Sequence, residues 1–445
     1  MSKWDFIELS ELCDLEKGKT GLMKAVSGKY TLVATGKERR TCDSYQLDTK
    51  AVCIPLVSST GHGHASLKYV HYQEGKFALG TILVAVIPKD ENVLNAQFLH
   101  LYLSRLKDSI LVPLMTGAAN VTLTVTKLKT VKVPLLPIEE QLRIVSLFNR
   151  MDNEQAELTD AISNQQDLLK KLRQSILQDA IEGKLTDSWR EQNPSAESAS
   201  ILLKKIKTEK EQLVKAKKIK KQKILSPING AERPFDVPDS WEWCRLGDIF
   251  NSLIGGNSYL SSSFKEDGIN QVLRLGNIRP YKLRLDAKPV FITNSLADET
   301  LNAELKTNDL LITMTGTRGK RDYCYTVLLE ESDFNNKRLF LNQRVGCFRF
   351  NQNIIPKFYD YALKSDTLLD NIYKTATGSA NQANIGSTAL SLWSIPLPQV
   401  EEQKAIVTKI ENLFKICDQL ETQINSSKTN SEILIQAVLK EAFEG

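Results

Sequence analysis

Val133-Pro-Leu-Leu-Pro-Ile-Glu139-Glu140-Gln141, followed by Ile144-Val145, returns 262 residues later as Ile395-Pro-Leu-Pro-Gln-Val-Glu401-Glu402-Gln403, followed by Ile406-Val407. The register holds without a gap to Ala180-Ile-Glu-Gly183 and Ala442-Phe-Glu-Gly445. Over the 46 positions from Ile138 to Gly183, 13 are identical to their counterparts, where chance gives about 3. The chain is therefore an internal repeat, and each half is read against the other.

Each copy reads as one long amphipathic helix. Prolines stand just before it, where they do no harm, and Glu139-Glu140 fill a first turn whose dipole favours negative charge. Glycine closes it at Gly183 and Gly445. A heptad-like seam runs through Ile144, Phe148, Met151, Gln155, Leu158, Ile162, Gln165, Leu169, Leu172 and Ile176. It repeats through Ile406, Ile410, Leu413, Cys417, Leu420, Ile424, Ser427, Ser431, Leu434 and Val438. Steps of four and three in both helices predict that the two pack on each other. Antiparallel packing, with Ile144 beside Val438, separates the preceding globules about a pseudo-twofold axis. At ~1.5 Å per residue each helix is roughly 60 Å long, enough to act as a spacer.

Around these helices lie two globules of mixed α/β character. The first spans 1–137, with strand-like runs at Tyr30–Thr35, Ala51–Ser58, Lys68–Tyr72 and Phe77–Pro88 and a helix from Ala96 to about Ser109. The first long helix occupies 138–183. Residues 184–240 hold a lysine-rich helix, expected over Ser200–Lys223, and a proline-bearing linker. Ten lysines face two glutamates between Leu203 and Lys223. The second globule spans 241–399, with strands expected at Gln271–Ile278, Pro289–Thr293, Leu310–Thr315, Tyr323–Leu329 and Phe340–Phe350 and a helix at Pro356–Lys364. The second long helix occupies 400–445. Trp241 to Leu246 matches Trp4 to Leu9, Gly255 falls where Gly18 does, and Gly378-Ser-Ala-Asn381 matches Gly117-Ala-Ala-Asn120.

Composition is that of an ordinary soluble protein: 42% hydrophobic, 25% charged, net charge +5. Seven cysteines without a Cys-x-x-Cys pair suit a reduced cytoplasmic protein. No apolar run reaches membrane-spanning length and no signal peptide opens the sequence. Catalytic motifs are missing. There is no Pro-Pro pair for a base-holding methyltransferase motif, and none of the Gly-Lys pairs carries the glycine five residues earlier that a phosphate-binding loop needs. His62, His64, His71 and Cys53 match no zinc spacing and read as loop and strand residues.

Taken together, the order of these motifs resembles the specificity subunit of type I restriction–modification enzymes. The resemblance rests on Trp-x-x-x-x-Leu at each globule start, Gly378-Ser-Ala-Asn381, the Pro-Leu-Pro and Glu-Glu-Gln elements, and Glu182-Gly-Lys-Leu-Thr186 before the lysine-rich helix. Departures are Ala118 against Ser379, and Leu136-Pro137 against Pro398-Gln399. The resemblance implies two target recognition domains, each reading half of a bipartite asymmetric site on double-stranded DNA. It implies helices that set the spacing and dock modification subunits, two of them expected, with restriction and translocation subunits as further partners. S-adenosylmethionine, ATP and Mg then belong to the partners, and this chain is not itself an enzyme.

Base reading needs hydrogen-bonding side chains on loops held by a rigid scaffold, with Lys or Arg for phosphates. The candidates are Ser59, Thr60, His62 and His64 in the first domain, and Asn277, Thr315 and Thr317 in the second. Basic candidates are Lys19, Arg39, Arg40 and Lys68, then Arg274, Arg279, Arg318, Lys320, Arg321 and Arg344. For the helix-pair and subunit interface they are Glu139, Glu140, Gln141, Ile144, Phe148, Leu158, Ile162, Leu172 and Ile176, with Glu401, Glu402, Gln403, Ile406, Ile410, Leu420, Ile424, Leu434 and Val438. A solvated charge is the plain alternative for any single basic residue. The lysine run fits a solvated face or a protein contact as well as DNA. A coiled-coil scaffold whose globules bind proteins is one competing reading, which salt-dependent binding to duplex DNA separates from the first. A self-sufficient enzyme hidden in the globules is another, which methylation or cleavage by the purified chain without partners would support.

Overall fold

The structure is a computed structural model that describes residues 4–60, 63–118, 120–194, 197–379 and 381–444. It divides into two compact units, Met1–Gln165 with Gln423–Gly445 and Gln166–Thr422.

In the first unit, Cys13–Lys17, Leu83–Pro88, Ala51–Pro55 and His71–Gln73 form an antiparallel sheet in that order. A second sheet runs Arg40–Cys42, Tyr30–Val33, Lys76–Leu79, Leu47–Asp48, with its two middle strands parallel. Ala51-Val-Cys-Ile-Pro55 is buried throughout, as suits a continuous apolar run in a central strand. The helix Ala96–Arg105 begins where the Asn95 side chain accepts from the backbone N–H groups of Gln97 and Phe98, and it buries Phe98, Leu99, Tyr102 and Leu103.

The second unit repeats this plan. Its antiparallel sheet runs Phe250–Gly255, Val345–Phe350, Leu310–Thr313, Thr326–Leu328. Its second sheet joins Phe291–Ile292, Asn270–Leu273 and Arg338–Leu341, the last two again parallel. A two-stranded ladder ties each globule's first strand to the Pro-rich segment before its long helix: Asp5–Glu8 to Lys132–Leu135, and Glu242–Arg245 to Ser394–Leu397. The duplication seen in the helices thus extends to strand order.

Two expected strands each turn out to be two. Phe77–Pro88 breaks into Lys76–Leu79 and Leu83–Pro88, and Phe340–Phe350 into Arg338–Leu341 and Val345–Phe350. The breaks are tight turns, with Leu83 N–H bonded to Gly80 O at 2.9 Å and Val345 N–H to Asn342 O at 3.0 Å. Each turn is crossed closely by backbone that only glycine permits. A β-carbon on Gly18 would sit 2.0 Å from Gly80 O, and one on Gly256 2.2 Å from Asn342 O. Gly255, the positional counterpart of Gly18, has open space around it, so the close approach falls one residue later in the second domain.

The long helices span Ile138–Ile181 and Val400–Glu444. Gly183 follows the first with φ of 79°; Gly445 lies outside the described residues. In the first unit, Ile144, Val145 and Phe148 share a core with Ile435, Val438, Leu439 and Phe443. In the second, Arg173 near the end of the first helix bonds Asp418 at 2.6 Å and lies over the Phe414 ring at 5.2 Å. The start of the first helix therefore meets the end of the second, and the packing is antiparallel.

The heptad seam is only partly the buried stripe. Leu172, Leu420 and Leu434 are 44%, 40% and 61% exposed, while Leu177, Phe414, Leu439 and Phe443 are buried. An α-helix drifts by ~20° per heptad against a 3.5-residue repeat, so the inner stripe rotates off the seam. It turns toward the globules: Gln174 Nε2 donates to Lys364 O at 3.2 Å, and Thr367 Oγ1 to Gln178 Oε1 at 2.6 Å.

The Glu-Glu-Gln motif also differs from its expected place at the helix-pair interface. Gln141 is fully buried against its own globule, donating to Val93 O and Leu136 O and accepting from Asn95 N–H at 2.8 Å. Gln403 repeats the clamp with Pro398 O at 2.8 Å and Ile355 N–H at 2.9 Å. Glu402 is buried too, accepting from Trp241 Nε1 at 2.8 Å, Thr186 Oγ1 at 2.7 Å and Arg190. It ties the central segment and the second globule to the start of the second helix.

The lysine-rich helix ends earlier than expected, at Lys215. Lys217 takes the left-handed conformation, φ 54°, while Lys217 N–H bonds Val214 O and Lys218 N–H bonds Leu213 O. Continuing the helix would set Lys217, Lys218, Lys220 and Lys221 at repulsive three- and four-residue spacings.

Candidate nucleic-acid interface

In both domains the chain leaves a buried central strand and enters a polar loop. After Ala51–Pro55, the Ser58 hydroxyl donates to His64 O at 2.6 Å and accepts from Ser66 N–H at 3.1 Å. Ser59 Oγ accepts from Lys68 N–H at 2.8 Å, and the Thr60 and Ser66 hydroxyls meet at 2.9 Å. The loop is thus braced by its own hydroxyls rather than left pliable, which suits a reading surface. His64 and Lys68 are exposed on it, and His62 lies outside the described residues.

After Leu310–Thr313 the second loop is braced in a similar way. Asp322 closes it by accepting from Thr317 N–H at 2.5 Å and the Thr317 hydroxyl at 3.3 Å. Thr315 and Asn384 are joined through their side chains at 2.9 Å. Arg318 donates to Ala376 O at 3.1 Å and Gly378 O at 3.4 Å, and Lys320 stands exposed beside it. Arg321 pairs with Asp370 at 2.6 Å.

Each loop is seated on a second one, which the sequence presented only as a separate motif. Val57 and Thr122 pair in the first domain, and a β-carbon on Gly63 would lie 2.7 Å from Ala118 O. In the second, Thr315–Gly316 pairs with Ala383–Asn384, and Thr377 with Asn384. Gly117 and Gly378 open the supporting loops at φ of 136° and 114°, where a side chain would strike Asn120 O and Gln382 O respectively. The composite surface is a strand-to-loop transition backed by the Gly-x-Ala-Asn loop, built twice.

A family model described as the type I restriction modification DNA specificity domain matches residues 1–166 and 238–427. The chain belongs to this family. It is similar to the EcoEI specificity subunit of Escherichia coli, 32% identical over 277 residues, which are 61% of this chain and 45% of that relative. The EcoAI specificity subunit of Escherichia coli is 34% identical over 274 residues, 61% of this chain and 44% of the relative. The match thus spans less than half of either relative. A structure solved in work on complex assembly and conformational transition of the type I R-M system shares the fold, with a TM-score of 0.59 at 15% identity, covering 99% of this chain and 98% of that one.

Not every candidate of this specificity-family chain stands on the composite surface. Asn277 is buried, donating to Arg284 O and Ala287 O and accepting from Arg274 N–H, so its amide builds a turn. Arg274 and Arg279 bond nearby carbonyls, Lys288 O for the first and Leu275 O and Ile278 O for the second. Arg39 lies along a sheet edge, donating to Gln73, Tyr72 O and His71 Nδ1. Lys19 follows the strand Cys13–Lys17, its N–H bonded to Gln46 Oε1. Arg40 and Arg344 are exposed, and no ion pair is found for either among the described residues. The sequence reading missed the side chains of the supporting loops: Asn120 in the first domain, Ser379, Asn381 and Gln382 in the second, all exposed. The repeated Gly-x-Ala-Asn motif was the signal that could have found them. Ala119 and Ala380 lie outside the described residues. No group of three or more His, Cys, Asp or Glu is placed to hold a metal among the described residues, and no described helix is long and apolar enough to cross a membrane.

Proposed function

We propose that this chain is the DNA-reading subunit of a type I restriction–modification complex and that it performs no chemistry itself. Each globule reads one half of a bipartite, asymmetric duplex site, and the long helices set the spacing. Methylation with S-adenosylmethionine, and cleavage with ATP and Mg, belong to partner subunits, two of them modification subunits. The observation that carries this reading is the composite loop surface, built twice on matching strand orders. A protein that recognised one contiguous site would need it only once. Exposed apolar side chains on the long helices, Leu168 and Leu172 in one and Ile416 and Leu420 in the other, supply a docking face for those subunits.

Exchange of residues 1–137 for a relative's first globule tests the reading. Mapping of methylated bases in cells carrying the chimera should show one half-site changed and the other retained. A chimera that altered both halves, or neither, would overturn it.

A further inference from the structure

A groove of about 940 Å³ runs between the lysine-rich helix Ala199–Lys215, the extended segment that follows it, and the strand Glu242–Arg245. Its walls are fixed. Glu209 anchors the helix to the second globule, accepting from Asn353 at 2.7 Å and Asn351 at 3.2 Å. Lys210 reaches inward, donating to Gly247 O at 2.7 Å and Gln222 Oε1 at 2.9 Å, and so pins the returning segment to the helix.

What lines the groove has two characters. Leu203, Val214, Leu225 and Trp243 give it an apolar floor, and Ile224 stands at its edge 99% exposed. Above that floor, Lys207, Lys215, Lys221, Lys223 and Arg233 face the groove and appear in no ion pair among the described residues, against the carboxylates of Glu211 and Asp248. Unpaired cations around an uncovered apolar trough ask for an occupant that brings both negative charge and apolar side chains. Duplex DNA offers the charge on the outside of a convex rod and has no side chain for the trough. An extended or helical peptide offers both.

We propose that this groove docks an acidic peptide segment carrying leucine or aromatic side chains, supplied by a partner protein. The segment lays its apolar face on Trp243 and Ile224 and sets its carboxylates against Lys221 and Lys223. The proposal is separate from base reading and does not depend on it.

The test is fluorescence anisotropy on the full chain. The probe is a labelled peptide of about 16 residues, with Glu and Asp interspersed with Leu and Phe. A control peptide replaces every Leu and Phe by Ser at equal charge, and a duplex oligonucleotide serves as a second probe. The acidic apolar peptide should bind about tenfold tighter than the serine control. Ile224→Asp, and Lys221→Glu with Lys223→Glu, should each weaken it about tenfold while leaving the melting temperature and the duplex affinity unchanged. These side chains lie on an exposed segment, so the variants leave the fold intact. Equal binding of the serine control, full affinity in the variants, or a matching loss of duplex affinity in the lysine variant would each overturn the proposal.

Discussion

Glu402 is a buried charge that ties three segments of the second unit together. It is fully buried, with one guanidinium and two neutral donors on its oxygens. Removing it by Glu402→Ala leaves the Trp241 indole N–H without its acceptor and Arg190 with Asp187 as its remaining carboxylate, and should cost about 2–4 kcal/mol in chemical denaturation. Glu402→Gln keeps the shape and one acceptor and should cost clearly less. A Glu402→Ala protein as stable as the parent would show that the knot is dispensable. A second buried residue sets a pH dependence in the first unit. Burial, and then the Arg39 guanidinium, pull His71 from 6.5 down to about 4, where the neutral ring accepts from Arg39 Nη1 at 3.1 Å. Unfolded chain takes up this proton near 6.5 and folded chain only near 4. The contribution is therefore complete above pH 6.5 and is lost as the pH falls through that window. Carboxylates titrate there too, so the readout is the difference between the parent and His71→Gln. The variant's denaturation midpoint should fall less steeply between pH 6.5 and 4, and parallel profiles would refute the assignment.

At the scale of elements, the Gln141 and Gln403 clamps fasten each long helix to the globule before it. Gln141→Ala leaves Asn95 N–H, Val93 O and Leu136 O without their partner, and Gln403→Ala does the same to Ile355 N–H and Pro398 O. Each should cost about 2–4 kcal/mol, confined to its own unit, as local hydrogen exchange would report. The long helices themselves were legible in the sequence, because duplication and heptad spacing say the same thing twice. What the glutamine does was not, since a motif at a helix start gives no sign of which backbone it reaches. The breaks at Gly80 and Asn342 were hidden for a different reason. Apolar character continues across Phe77–Pro88 and Phe340–Phe350, and only the crossing backbone at Gly18 and Gly256 decides where the chain turns. Likewise Ser59, Thr60, Thr315 and Thr317 could be picked out as polar loops after apolar strands. Their seating on loops about 60 residues further along arises from sheet order, which no local pattern records.

For the molecule as a whole, one arrangement carries a consequence in time. Phe443 and Leu439, near the end of the chain, are core residues of the unit that begins with the first globule: the Phe443 ring stacks on Phe148 at 6.0 Å and meets Tyr102 edge-on at 5.4 Å. A variant ending at Val438 loses both side chains, and large-to-small losses of this kind cost about 3–5 kcal/mol per aromatic. Its first globule should be cut by protease much faster than the parent's, with the second unit as resistant as before; equal resistance of both would refute the claim. Translation proceeds at ~5–20 residues per second, so the earliest-made globule waits tens of seconds on the ribosome for the residues that complete its core. A chain broken off before Leu439 therefore leaves the first globule with an unfinished core. Such a chain is one that quality control removes.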